Sequence, residues 1–172
     1  MAEINNDTVA AMNVEDQLKA GWSQLTLVLS FFSRIDTKLS VILGLNLGML
    51  AMLSTRLPVY ADLKWWHFPL FALCSPLIVS LSHLYRGAVP DTRGGSDSLI
   101  YFGNIAGMAE NSFQTATHRR TDAELVADVY AQVWRNAEIL ADKFQALQRA
   151  YLWLLRGVVP WLITLAALST KT

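Results

Sequence analysis

LSVILGLNLGMLAMLST, residues 39–55, is an apolar stretch that contains no Lys, Arg, Asp or Glu. A second charge-free stretch, HFPLFALCSPLIVSLSHLY, follows at residues 67–85. At about 1.5 Å per residue, a helix over either stretch is about 25 to 29 Å long, close to the hydrocarbon thickness of a bilayer. The two stretches therefore predict a pair of transmembrane helices, and Pro76 inside the second predicts a kink.

The composition of the whole chain agrees with a membrane protein. Of its 172 residues, 53% are hydrophobic and 16% are charged, against about a quarter charged in an ordinary soluble domain. The formal net charge is zero, so nothing indicates nucleic-acid binding. The single cysteine, Cys74, lies in the second apolar stretch, where neither an internal disulfide nor a metal site is expected.

Residues 1–38 precede the first span and predict an amphipathic or interfacial helix, because Leu18, Trp22, Leu25 and Leu29 follow helical spacing. No Gly or Pro lies between Trp22 and Ile42. Two arrangements remain open at this point. One helix continues into the first span, or a separate interfacial helix is followed by a turn.

Residues 86–149 form a mixed-charge region that predicts a polar unit with a long helix. Thr121 and Glu124 have the spacing of a capping box, and no Gly or Pro follows until Gly157. The helix should enter a third apolar run at residues 150–170, which is interrupted by Arg156 and Pro160. This run predicts a third span, with a helix on the membrane surface as the alternative.

Positive charges flank the spans on one side. Arg34 and Lys38 precede the first span, and Arg86 and Arg93 follow the second. By the positive-inside tendency, the N-terminus and the polar region lie in the cytoplasm and the C-terminus lies outside. The predicted fold class is an all-α, multi-pass membrane protein with two or three transmembrane helices and a cytoplasmic helical region.

No catalytic constellation, metal site or cofactor motif is found, so an enzyme is not expected. The three histidines, His67, His83 and His118, lack metal-ligand spacing. Three charged residues lie just before the first span: Arg34, Asp36 and Lys38. This charged group forms either an interfacial anchor or an intrabundle ion pair or gate. Gly44, Asn46 and Gly48 indicate helix association, within a chain or between chains. The residues predicted for association or gating are Arg34, Asp36, Lys38, Gly44, Asn46, Gly48 and Arg156.

The segment LIYFGNIAGM, residues 99–108, places two aromatic side chains beside a glycine and an amide. These residues either pack in the core or form a ligand site. In a ligand site, an aromatic ring would stack on a base, the amide would bind its edge, and an arginine would bind a phosphate. The candidate nucleotide-binding residues are Arg86, Arg93, Tyr101, Phe102, Asn104, Arg119 and Arg120.

Several segments together resemble the membrane effectors of Pycsar antiphage systems. They are FSRIDTKLSVILGLNLGMLA (32–51), SHLYRGAVP (82–90), SLIYFGNIAGM (98–108) and DVYAQVWRNAEILADKFQALQRAYLWL (128–154). The resemblance implies a bacterial inner-membrane protein that is functionally paired with a pyrimidine nucleotide cyclase. It implies activation by cyclic UMP or cyclic CMP, loss of membrane integrity and abortive infection.

The sequence also leads to expectations about oligomeric state and partners. Three helices of one chain cannot enclose an aqueous pore, so a homo-oligomer in contact with membrane lipid is expected. The alternative is a constitutive adaptor or structural membrane protein that recruits a soluble partner.

Overall fold

The fold is described for residues 12–57, 64–65, 67–89 and 97–169 of a computed structural model. This part of the chain is 87% helical and contains no strand, which confirms the all-α class. Its six helices are α1 (Val14–Ser54), α2 (His67–Leu73), α3 (Ser75–Ala88), α4 (Phe102–Ala106), α5 (Glu110–Arg119) and α6 (Asp122–Ser169). Pro90 and Gly94, at which the sequence predicts breaks in regular structure, lie outside the described residues.

Helix α1 is one continuous helix of 41 residues. The Asn13 side chain caps its N-terminus by accepting a hydrogen bond of 2.7 Å from the Asp16 backbone N–H. The charged segment at residues 33–38 continues the helix without a turn. Of the two arrangements left open by the sequence, the structure therefore has the helix that runs directly into the first apolar stretch.

Helix α6 is 48 residues long and begins at the predicted capping box. The Thr121 backbone N–H donates to Glu124 Oε2 over 2.8 Å, and the Glu124 backbone N–H donates to Thr121 Oγ1 over 3.3 Å. Hydrogen bonds from the backbone and then the hydroxyl of Thr121 lower the pKa of Glu124. The helix continues through Pro160 to Ser169, as expected from the sequence.

The second apolar stretch is bent rather than straight. Helices α2 and α3 meet at Cys74 with an angle of 40°. Pro76 lies in the first turn of α3 and has no N–H to donate to the carbonyl of Ala72. The proline thus accounts for the bend, and the break falls two residues before it.

The chain divides into two compact units. Unit 1 comprises Met1–Leu29 and Thr92–Ala137, and unit 2 comprises Ser30–Asp91 and Glu138–Thr172. Helices α1 and α6 therefore each contribute residues to both units. In unit 1, Leu25, Val126 and Val129 are buried, and the Tyr130 hydroxyl donates to the Gln17 carbonyl over 3.3 Å.

Unit 2 packs its three apolar segments at three successive levels. At the first level, Gly87 lies against Leu39 and Ala146. At the middle level, Leu77 contacts Gly157, and its carbonyl accepts a hydrogen bond of 3.2 Å from Asn46 Nδ2. At the third level, Leu53, Cys74 and Leu168 form one buried cluster. In unit 2, α1 and α6 consequently run in the same direction and α3 runs in the opposite one.

Two of the described helices are long and apolar enough to cross a membrane. They are α1 and α6, and the bent pair of α2 and α3 makes a third if it is counted as one span. Their outward surfaces are apolar, with Val159 62% exposed and Ile163 53% exposed. Such a surface requires lipid or protein to cover it.

The close approach of α3 to α6 gives the first prediction. A Cβ atom on Gly157 would lie 2.7 Å from Leu77 Cδ2, and Leu77 has no exposed surface into which it can move. Gly157→Ala should therefore lower the free energy of unfolding by about 1–3 kcal/mol. Thermal unfolding in detergent, followed by circular dichroism, measures this loss.

Gly44→Ala is the matched control, because a Cβ atom at Gly44 meets nothing within 4 Å. It should leave the stability unchanged or raise it by up to about 1 kcal/mol through helix propensity. Equal melting temperatures for the wild type and Gly157→Ala would contradict the packing described for unit 2.

Candidate functional site

A buried polar cluster holds the 97–101 segment against α6 in unit 1. The Asp128 side chain is 5% exposed and pairs with the Arg120 guanidinium. The same carboxylate accepts the Leu99 backbone N–H over 2.9 Å, and Arg120 Nη2 donates to the Asp97 carbonyl over 3.0 Å. The Asp128 carboxylate thus neutralises the charge of Arg120 and also holds the 97–101 segment in place.

A serine and a glutamine extend this cluster. Gln132 Nε2 donates to Ser98 Oγ over 3.0 Å, and both residues are buried. The Ser98 hydroxyl in turn accepts the backbone N–H groups of Ile100 and Tyr101, each over 3.1 Å. Asp97, just before it, has a φ of 64°, a left-handed conformation that the Arg120 hydrogen bond to its carbonyl helps to hold. The hydrogen bonds therefore fix the backbone that leads into α4.

Two aromatic side chains lie at the start of α4. The ring centroids of Tyr101 and Phe102 are 4.9 Å apart, at an interplanar angle of 55°. The Tyr101 ring covers Gly103 so closely that a Cβ atom there would lie 2.5 Å from it. Phe102 is 69% exposed, whereas Tyr101 is half-buried. Both stay predicted nucleotide-binding residues, and the Phe102 ring is the more accessible of the two for base stacking.

The predicted nucleotide-binding arginines occupy different settings. Arg120 is committed to the ion pair with Asp128, whereas Arg119 at the end of α5 is exposed. Arg86, near the end of α3, is exposed and belongs to unit 2. Arg93 lies outside the described residues, and Asn104 is half-buried in α4. The assignment of these residues to a nucleotide site therefore stays a prediction.

Asp36 has a partner that the sequence analysis missed. Its Oδ1 atom lies 2.7 Å from Lys143 Nζ on α6, within unit 2. The same ammonium lies 5.9 Å from the centre of the Phe32 ring. The two ion-pair partners are 107 positions apart in sequence, so no local pattern points to the pair. The Asp36 side chain is 54% exposed, so the pair lies at the surface, and the choice between an interfacial anchor and a gate stays a prediction.

The other two charged residues of this group, Arg34 and Lys38, form no ion pair with any residue that the structure describes. Arg34 is exposed, and its guanidinium lies 5.4 Å from the centre of the Phe31 ring. Lys38 is exposed at a groove of about 400 Å³ between α1 and α6. Most of the groove surface is apolar, and Val41, Leu147 and Tyr151 contribute to it. Thr37 and Gln148 line the groove as well.

Asn46 and the glycines beside it lie on different faces of α1. Asn46 is fully buried and donates to the Leu77 carbonyl, while its Oδ1 atom has no hydrogen-bond partner among the described residues. Gly44 and Gly48 are exposed, with open space beside each. The Asn46 amide therefore connects α1 to α3 within one chain. The two glycines leave the outward surface of α1 without side chains at their positions.

Arg156 lies on the outward surface of α6 in unit 2. Its guanidinium lies 5.0 Å from the centre of the Trp153 ring, one turn earlier in the helix. Within a single chain Arg156 is thus exposed and not buried in the bundle, and its predicted role in association or gating stays a prediction. Elsewhere in the described residues, no three His, Cys, Asp or Glu side chains are grouped to hold a metal ion.

These features define a class of protein: a helical membrane protein whose apolar segments are joined to a polar helical unit. Residues 20–170 match the family described as "PycTM: Pycsar effector protein domain". Because this match covers most of the chain and both units, the chain belongs to the PycTM family of Pycsar effector proteins.

One relative with a known name is similar over part of its length. The chain is 28% identical over 95 residues to the Pycsar effector protein GmPycTM of Gulbenkiania mobilis. The aligned region covers 51% of this chain and 48% of that protein. The match thus spans about half the length of this relative. No solved structure matches the chain.

The ion pair in unit 1 gives the second prediction. Arg120→Ala leaves the Asp128 carboxylate buried without its cation, which should lower the free energy of unfolding by about 3 kcal/mol. Arg119→Ala is the matched control, because Arg119 is the neighbouring arginine and is exposed. It should change stability by less than about 0.5 kcal/mol.

Thermal unfolding of both variants in detergent provides the measurement. Hydrogen exchange at the Leu99 and Tyr101 amides adds a local signal, which should accelerate only in Arg120→Ala. Equal stability of the two variants would contradict a structural role for the Arg120–Asp128 pair.

Proposed function

We propose that this protein is a Pycsar antiphage effector that is activated by a cyclic pyrimidine nucleotide, cyclic UMP or cyclic CMP. The nucleotide comes from a cognate cyclase, and the activated effector impairs the integrity of the bacterial inner membrane, which causes abortive infection. The observation that carries this proposal is the family match over residues 20–170, which includes both units. The effector acts without catalysis.

Unit 1 is the proposed receiver of the signal. It contains an exposed aromatic ring, Phe102, directly after a segment that buried hydrogen bonds fix, and an exposed cation, Arg119, at the end of α5. An aromatic ring stacks on a pyrimidine base, and a guanidinium binds a cyclic phosphate through charge-assisted hydrogen bonds. This chemistry suits a cyclic nucleotide and supports the site predicted from the sequence.

Unit 2 is the proposed output. Its three apolar segments cross the membrane, with the N-terminus and unit 1 in the cytoplasm. Helices α1 and α6 contribute to both units, so a ligand that repacks these helices in unit 1 acts on helices that also form unit 2. The ligand shifts the equilibrium between two packings of α1 and α6 because it binds one packing more tightly than the other.

We infer that membrane damage requires several copies, because the described spans of one copy pack directly on each other at several levels. Leu77, Gly87 and Gly157 bring its helices into direct contact. The exposed surface at Gly44 and Gly48 allows another helix to approach closely, as small residues do in membrane helix pairs. We therefore include a homo-oligomer in the proposal, surrounded by membrane lipid.

Co-expression with a pyrimidine nucleotide cyclase tests the proposed function. Cells that make this protein and an active cyclase should lose membrane potential, as measured with a voltage-sensitive dye. Cells with a catalytically dead cyclase should keep it. The difference is expected because only the active enzyme supplies the ligand that shifts the packing equilibrium.

Unchanged membrane potential with both cyclases would contradict the proposal. Titration of the purified protein with cyclic UMP, cyclic CMP and their purine counterparts identifies the ligand directly. Absence of binding, together with copurification of a soluble protein, would favour the adaptor function instead.

A further inference from the structure

The three apolar segments contain a single charged side chain. Residues 39–55, 67–85 and 150–170 include no Asp, Glu or Lys, and Arg156 is their one Arg. The acidic residue nearest to it on the same helix is Asp142, 14 positions earlier. The positive charge of Arg156 is therefore not balanced by any acid at its own depth in the membrane.

The packing of unit 2 fixes the depth of this charge. Gly157, the next residue, contacts Leu77 at the middle level of the three segments. Arg156 is also seven positions beyond Arg149, the last charged residue before the apolar run. At about 1.5 Å per residue, its Cα lies about 10 Å inside a hydrocarbon layer of about 30 Å.

The surroundings of Arg156 show that it points away from its own bundle. It is exposed, and Leu152 and Val159, one turn before and one turn after it, are 44% and 62% exposed. Trp153 is the ring that its guanidinium covers. An isolated arginine in such apolar surroundings costs about 2.5–3.5 kcal/mol when lipid faces it. Water that enters between copies of the chain removes this cost.

The described interior of unit 2 is closely packed and carries no charged side chain in the apolar segments. The Ser80 hydroxyl donates to the Ala150 carbonyl over 2.8 Å, and the Cys74 thiol lies 3.6 Å from Thr164 Oγ1. Asn46 Oδ1 is a buried acceptor for which the described residues supply no donor. The guanidinium of Arg156 faces away from this interior, toward lipid or a second copy.

We propose that Arg156 of each copy lines the ion path of the activated oligomer and makes it selective for small inorganic anions such as chloride. This inference rests on the proposed function and adds the chemical class of the ions that pass. Several guanidinium groups at one depth create a positive potential that attracts anions and repels cations.

The experiment measures the current through the purified protein in a planar bilayer under a potassium chloride gradient. Cyclic UMP and cyclic CMP are each added on the side that unit 1 faces. The wild type should show a reversal potential with the sign of the chloride equilibrium potential. Arg156→Glu should shift it to the sign of the potassium potential, and Arg156→Lys should keep the wild-type sign.

Arg149→Gln is the matched control, because Arg149 is an exposed arginine on the same helix before the apolar run. It should keep the reversal potential near that of the wild type. A nucleotide-dependent current without anion preference, or equal reversal potentials for the wild type and Arg156→Glu, would overturn this inference and leave the proposed function standing. The second result would show that residue 156 does not set the ion preference. No current with either nucleotide would overturn both proposals.

Discussion

The contact of Leu77 with Gly157 and Asn46 sets the register of the three apolar segments. Glycine lets α6 approach Leu77 directly, and the Asn46 amide satisfies the Leu77 carbonyl from the other side. The level at Gly87 follows from this one fixed point because α1, α3 and α6 are each continuous between the two levels. The level at Leu53 adds Cys74, where α3 gives way to α2. This arrangement also costs stability, because it buries one hydrogen-bond acceptor, Asn46 Oδ1, for which the described residues supply no donor.

The structure gives similar charged residues different roles according to depth and partner. Arg120 is committed to a buried carboxylate and holds a loop, whereas Arg119 beside it is exposed. Lys143 joins α6 to α1 through Asp36. Arg156 faces outward in the apolar run. We therefore expect substitution of a paired charge to lower the stability of the fold. Substitution of an exposed charge should instead change the binding of a ligand or the passage of ions.

Local patterns predicted most of the fold. The charge-free stretches, the helix through Pro160 and the capping box at Thr121 each depend on residues a few positions apart. Helix α5 was missed because its sequence, ENSFQTATHR, has almost no apolar periodicity. The Asp36–Lys143 pair was also missed, since it joins residues that only the folded chain brings together. For the same reason, the sequence could name candidate arginines for a nucleotide site but could not separate Arg119 from Arg120.

The central claim is the proposed topology, in which unit 1 lies in the cytoplasm and α1 and α6 cross the membrane in the same direction. Labelling of single cysteines with a membrane-impermeant maleimide tests it most directly, in a Cys74→Ser background. Arg56→Cys, just after α1, should be labelled in intact spheroplasts, whereas Gln114→Cys, on α5, should be labelled only after the membrane is permeabilised. Labelling of Gln114→Cys in intact spheroplasts, with protection of Arg56→Cys, would contradict the account.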